Sequence, residues 1–222
     1  MGLRQTLTEM MAQRPAAYRA LLSDLTDTLR RAALSGVLKE GERLPDFVLP
    51  DADGELVFSD DLLRDGPLVV VFFRGEWCPF CRTALSALND VATDVAAAGG
   101  SLVALSPDAA AFRDGAWHAQ GLCFPVLNDI DGAVGLQFGT MFRVPDGLRD
   151  FYIAAGIDLT LRHGDPSWFL PMPATFIADV DGVLRFAYAS GDVTDRVEPQ
   201  EIVAAVRRIA AETSTAAPSP DS

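Results

Sequence analysis

The chain reads as an α/β protein, a three-layer sandwich in which a mixed central sheet carries helices on both faces, preceded by a helical extension. Three observations predict it. Leu68 to Phe73 is a continuous apolar, β-branched and aromatic run, as a central strand buried on both faces requires. From that run onward, strand-like and helix-like patterns alternate as β-α-β-α-β, which implies a largely parallel sheet with covering helices. Later, Ala174 to Ala178 and Val183 to Tyr188 flank the turn Asp181-Gly182 as a hairpin, which makes the pairing mixed.

The elements follow in order. Leu3, Leu7, Met10 and Met11, then Tyr18, Leu21, Leu22, Leu25, Leu29 and Ala33, fall at helical spacing, and Pro15 interrupts them, predicting two helices. Ser35 to Arg43 holds Gly36 and Gly41 and reads as a linker. Asp46 to Leu49 and Glu55 to Phe58, joined across Asp53-Gly54, predict a short hairpin. After the Leu68–Phe73 strand, Leu85, Leu88, Val91 and Val95 mark one helix from Pro79 to Ala98, ended by Gly99-Gly100. Pro79 suits its first turn, where a missing amide proton costs nothing. A strand at Leu102–Leu105, a helix at Asp108–Trp117 and a short strand at Cys123–Leu127 come next, the last with Cys123 as a core residue.

Residues 130–170 hold two expected helices, Ala133–Phe138 and Gly147–Ala155, and are read as an insertion over the sheet edge. Pro199–Ala211 is a closing helix with Ile202, Val206 and Ile209 on one face. The resulting organisation is a helical extension over 1–40, one main domain over 41–212, and a disordered tail over 213–222, which is small, polar and proline-containing.

A length of 222 residues suits one domain with extensions, and 49% hydrophobic with 22% charged residues is the composition of a chain that builds a core. The net charge of -13 lacks the basic footprint that phosphate binding needs, so nucleic acid is not an expected partner. Met1 to Leu25 has no unbroken apolar run like the core of a signal peptide, and Leu68–Phe73 is too short to span a bilayer. No membrane association and a cytoplasmic location are therefore expected. Three cysteines, Cys78, Cys81 and Cys123, are too few for a disulfide-stapled scaffold.

Chemistry concentrates at Trp77-Cys78-Pro79-Phe80-Cys81, where the central strand runs into a helix. Open sheets place their ligand sites at such carboxyl ends. A thiol attacks only as thiolate, and the unpaired amides of a first helical turn favour an anion there. Arg74 and Arg82 flank the pair and add positive charge, while Glu76 opposes them. Cysteines three apart on a helical turn have Cβ atoms roughly 5 to 6 Å apart, close to the roughly 3.5 to 4.5 Å of a disulfide, so a small distortion closes the bridge. A structural zinc site would need four ligands, and the chain offers only Cys123, His118 and His163 at scattered positions. No cofactor or metal is expected. Neither histidine has a motif around it, and Trp117 and Trp168 read as packing residues.

The stretch Phe73 to Cys81 resembles the active-site strand and loop of the thioredoxin-like superfamily. Gly41 to Leu49 resembles the entry motif of its peroxiredoxin-like branch, the alkyl hydroperoxide reductase and thiol-specific antioxidant family. Phe124 to Asp129 and Pro171 to Asp179 are similar to later strands of the same group. The resemblance covers about residues 41 to 211. It implies a thioredoxin-like fold, a thiol-dependent peroxidase, Cys78 and Cys81 as catalytic residues, and Pro173 as a cis-proline facing the dithiol with Trp77 beside it. It implies a hydroperoxide or disulfide as substrate and a thioredoxin-like or glutathione reductant, and it leaves a homodimer open.

The family pattern Pro-x-x-x-Thr-x-x-Cys, set on Cys81, places Arg74 at the proline and Cys78 at the threonine, and its later arginine falls on Pro173. Two divisions of labour therefore stay open. By thioredoxin logic Cys78 attacks and Cys81 resolves; by peroxiredoxin logic Cys81 is oxidised to sulfenic acid and condenses with Cys78. A thiol-disulfide reductase is the alternative activity. A redox-responsive binding protein, using the helices before Ser35 and the segment Ile130 to Leu170, is a further one.

Overall fold

The computed structural model describes residues 2–32 and 34–216. The chain begins with helices α1 (Leu3–Ala12) and α2 (Ala16–Ala32), split at Pro15 as its missing amide dictates. Strands β1 (Val48–Pro50) and β2 (Leu56–Phe58) form the first hairpin, followed by α3 (Ser59–Arg64), which patterning does not reveal. Then come β3 (Leu68–Phe72), α4 (Pro79–Asn89), α5 (Ala92–Ala97), β4 (Ser101–Ser106), α6 (Ala109–Arg113) and β5 (Val126–Asn128). Helix α7 (Ala133–Gln137), strand β6 (Met141–Arg143), helices α8 (Asp146–Ala154) and α9 (Leu159–His163) and strand β7 (Phe169–Pro171) make up the insertion. Strands β8 (Ala174–Ala178) and β9 (Leu184–Ala189) and helix α10 (Pro199–Ala216) close the fold.

The central sheet has five strands in the order β5-β4-β3-β8-β9. β3, β4 and β5 run parallel, while β8 lies antiparallel to both β3 and β9, so the sheet is mixed. Every residue of β3 is buried, and its alternating side chains serve two layers. Val71 and the following Phe73 line a small cavity together with Leu85 and Leu88 of α4 and Ile202 of α10. On the other face Phe72 and Phe176 clamp Phe138, with ring centroids 5.0 and 4.9 Å apart. The fold is thioredoxin-like.

Several sequence expectations are corrected. The helix expected over Pro79–Ala98 breaks at Asn89-Asp90, weak helix formers, where the Asn89 side chain instead accepts the Cys123 amide at 2.7 Å. Cys123 is exposed rather than part of the core, because pairing in β5 begins only at Val126. The helix expected to reach Trp117 stops at Arg113; Gly115 takes a positive φ of 66°, and Trp117 turns inward to meet Phe73 edge-on at 5.2 Å. Helix α10 continues to Ala216, past the Thr213 expected to begin a tail, and residues 217–222 lie outside those described.

The insertion is not at the sheet edge. β6 and β7 pair with each other in a small sheet of their own, and α8 and α9 reach over the carboxyl ends of β3 and β4. Two buried charges there, Arg74 and Asp108, find partners in Tyr152 of α8 and Arg162 of α9, which is what draws the segment inward. The N-terminal helices also pack on the chain itself. Tyr18 of α2 stacks on Phe151 at 4.8 Å, Arg14 lies over Phe80 at 5.4 Å, and Thr83 of α4 donates to the Met10 sulfur at 3.5 Å.

Candidate active site

β3 delivers the chain into a tight loop, Phe73 to Trp77, and then into α4. Gly75 makes that loop possible. Its φ is +147°, and a Cβ there would stand 2.6 Å from both Asp108 Oδ2 and Trp77 Nε1, so a side chain is excluded on conformation and on space. Cys78 caps α4 and Pro79 is its first residue, while Cys81 follows within the first turn, its amide donating to the Cys78 carbonyl at 3.0 Å. Both cysteines are free thiols, 2% and 0% exposed.

The loop is held from behind by Asp108. Its carboxylate accepts the Glu76 amide at 2.9 Å and both Nε and Nη2 of Arg162 at 2.8 Å each. This two-pronged pairing of a fully buried carboxylate ties the insertion to the dithiol loop. Arg74, 1% exposed, donates from Nη1 to the Tyr152 hydroxyl at 3.3 Å and lies 5.7 Å from the Phe142 ring. Tyr152 in turn meets Trp77 edge-on at 5.2 Å and shares a hydrogen bond with Tyr18.

Electrostatics divides the two sulfurs. Burial pushes Cys81 up, but it is outweighed by the hydrogen bond from Cys78, the guanidiniums of Arg196 and then Arg74, and the Arg74 backbone amide, which bring the thiol down to about 5. Arg196 donates from Nη2 to Cys81 Sγ at 3.4 Å. Cys78 moves the other way: burial, its hydrogen bond to Cys81 and the repulsion of that neighbouring charge hold its proton in place against the two arginines. Of the two sulfurs, Cys81 is the one that the Arg196 guanidinium reaches, and negative charge is favoured there over Cys78.

Among the predicted residues, Cys78, Cys81, Trp77 and Arg74 come together here. Arg82 stays half-exposed and pairs with Glu76 at 3.2 Å. Pro173 is not a cis-proline, since there is no cis peptide bond among the described residues. A trans bond suits the backbone on either side, where Met172 N–H donates to Thr140 at 2.8 Å and the Pro173 carbonyl accepts Ser190 N–H at 3.0 Å. Pro173 lines the cavity under α4 beside Arg196. Arg196, Asp108, Tyr152 and Arg162 are missed by sequence reasoning; each is a single polar residue far along the chain with no local pattern to mark it. His118 is exposed and pairs with Asp53 at 3.7 Å, and His163 is buried, which lowers its pKa in spite of the opposing charge of Asp108.

The model of the AhpC/TSA family matches residues 41–187, well over half of the chain. The chain belongs to the AhpC/TSA family. Relatives from Mycobacterium tuberculosis that carry a provisional peroxiredoxin name are 38% identical over 106 residues, covering 46% of this AhpC/TSA chain and 64% of their own length. The chain thus spans just under two thirds of the first relatives it matches. Peroxiredoxin Q, chloroplastic, of Oryza sativa subsp. japonica is 28% identical over 185 residues, 78% of this chain and 75% of that one. In fold, the chain is similar to the crystal structure of peroxidoxin BcpB from Mycobacterium tuberculosis, with a TM-score of 0.59 at 24% identity, over 78% of this chain and 98% of that chain. Within this AhpC/TSA member, Arg196 and Arg74 supply the positive charge at the sulfurs.

Proposed function

We propose that the protein reduces hydroperoxides through the Cys78–Cys81 pair, with Cys81 attacking and Cys78 resolving. The observation that carries this is the Cys81 sulfur itself, fully buried, with the Arg196 guanidinium donating to it at 3.4 Å. Membership of a family whose relatives bear peroxiredoxin names supports it. A thiolate in a dry site suits a small oxidant. Reduction of protein disulfides asks for an exposed attacking sulfur, and Cys78 is 2% exposed. The disulfide formed is re-reduced by an external thiol, thioredoxin or glutathione, which fits a reducing cytoplasm.

Steady-state peroxide consumption coupled to a thioredoxin recycling system tests the reading. Wild-type protein turns over, Cys81→Ser falls to background, and Cys78→Ser stops after one equivalent with sulfenic acid on Cys81. Sulfenic acid on Cys78 in a Cys81→Ser variant would reverse the two roles.

A further inference from the structure

We propose that Arg74 carries an exchangeable anion site: when the Cys78–Cys81 bridge closes, a small planar oxyanion of the carboxylate type binds the Nε–Nη2 edge of its guanidinium and replaces the lost sulfur charge. The inference rests on the dithiol–disulfide cycle proposed above, not on the oxidant that drives it.

A buried cation needs a counter-charge. Arg74 and Arg196, 1% and 7% exposed, both stand at the dithiol, and neither forms an ion pair with a carboxylate among the described residues. Arg196 donates from Nη2 to Cys81 Sγ at 3.4 Å and from Nε to the Val193 carbonyl at 3.3 Å. Arg74 has less. Its Nη1 reaches the Tyr152 hydroxyl at 3.3 Å, while Nε and Nη2, both buried, have no hydrogen-bond partner among the described residues. The N–H groups of Nε and Nη2 lie on one edge of the guanidinium and point the same way, the geometry that takes a carboxylate in two bonds. The chain already uses that edge so: Arg162 grips Asp108 through Nε and Nη2 at 2.8 Å each. Asp108 is thereby paired, and its charge does not serve Arg74.

The need changes with the state of the sulfurs. While the pair is reduced, negative charge on sulfur answers the guanidiniums, as the Arg196 contact to Cys81 shows. A disulfide carries no charge. As the S–S bond forms, two electrons pass to the hydroperoxide, which takes two protons, from the pair and from solvent, and leaves as alcohol and water. The two cations then stay behind without their counter-charge, and a carboxylate entering at Arg74 restores it with two N–H···O bonds. Such an anion binds the oxidised protein more tightly than the reduced one. By linkage it makes the disulfide harder to reduce.

Formate, the smallest carboxylate, is the probe. The midpoint potential of the Cys78–Cys81 couple is measured against a dithiothreitol couple at rising formate, with gluconate, too bulky for a buried edge, holding the ionic strength constant. A Cys123→Ser background removes the exposed thiol from the titration. One anion taken up per two electrons lowers the potential by about 30 mV for each tenfold rise in formate above its dissociation constant. Arg74→Met is expected to flatten that dependence, and Arg74→Lys, which keeps the charge without the two-pronged edge, to weaken it. Formate is also expected to raise the Tm of the oxidised protein and leave that of the reduced protein unchanged, a measurement that needs no variant at Arg74. A potential independent of formate, equal rises in Tm for both forms, or a full slope retained in Arg74→Met overturns the site. A chain that forms no Cys78–Cys81 disulfide, with hydroperoxide or with oxidised dithiothreitol, fails the cycle itself, a result seen before any formate is added.

Discussion

The Cys81 sulfur receives a guanidinium from Arg196, 115 residues further along the chain. That contact is one of those that hold negative charge on the sulfur. A cysteine acid lowered to about 5 is already thiolate at neutral pH, so its alkylation rate is on a plateau there. Removing a cation destabilises the anion and moves the titration upward. Arg196→Gln is therefore expected to raise the inflection of the alkylation profile on the order of one pH unit or more. The rate falls at pH 6 and recovers by pH 9, measured by iodoacetamide labelling of Cys81. An unmoved inflection would mean that the thiolate does not depend on Arg196. Sequence reading found the sulfurs, Trp77 and Arg74 because they are contiguous. It missed Arg196 because a cation that acts across a fold leaves no spacing to read.

At the scale of elements, α1 and the turn after it pack on the dithiol helix α4, Met10 against Thr83 and Arg14 over Phe80. The first amides of α1, those of Leu3 and Arg4, donate to the Glu198 carboxylate at 2.8 and 2.9 Å, and Arg4 Nε donates to the Arg196 carbonyl at 2.6 Å. A carboxylate at a helix N-terminus contributes up to about 1 kcal/mol or somewhat more. Glu198→Ala is expected to loosen α1 and raise the reactivity of the reduced dithiol toward a bulky aromatic disulfide several-fold. The exposed Cys123 would mask that change, so the rate is followed in a Cys123→Ser background. An unchanged rate would show that α1 does not limit access.

The same scale shows what was legible in the sequence. β3 and the two hairpins carry their signals locally, in apolar runs and Asp-Gly turns. β6, β7 and α9 are three to five residues long; β6 and β7 pair with each other, and α9 is tied to the site through Arg162 and Asp108. Their sequences carry no period long enough to detect.

Across the whole molecule, the dithiol site is assembled from four separated stretches: the loop and α4 around residues 73–81, Asp108, the insertion helices, and the segment holding Arg196 and Glu198. A parallel sheet with antiparallel additions gathers these at one end, and that architecture is what the alternation of patterns predicted. The partners across the site belong to tertiary structure and stayed hidden. No helix of the described residues is long and apolar enough to cross a membrane.

One ring in this assembly gives the molecule an optical signature. Of the three tryptophans, Trp117 and Trp168 are buried, Trp117 against Phe73 and Trp168 under Arg149, while Trp77 is only partly covered and adjoins Cys78 in sequence. A disulfide accepts an electron from an excited indole, and a thiol does so far less readily. Closing the Cys78–Cys81 bridge is expected to dim the intrinsic emission, and reduction to restore it. Trp77→Phe should abolish that change while leaving the emission of the other two indoles. The brightness of the light this protein emits would then follow, in real time and without a label, how many of its molecules are spent.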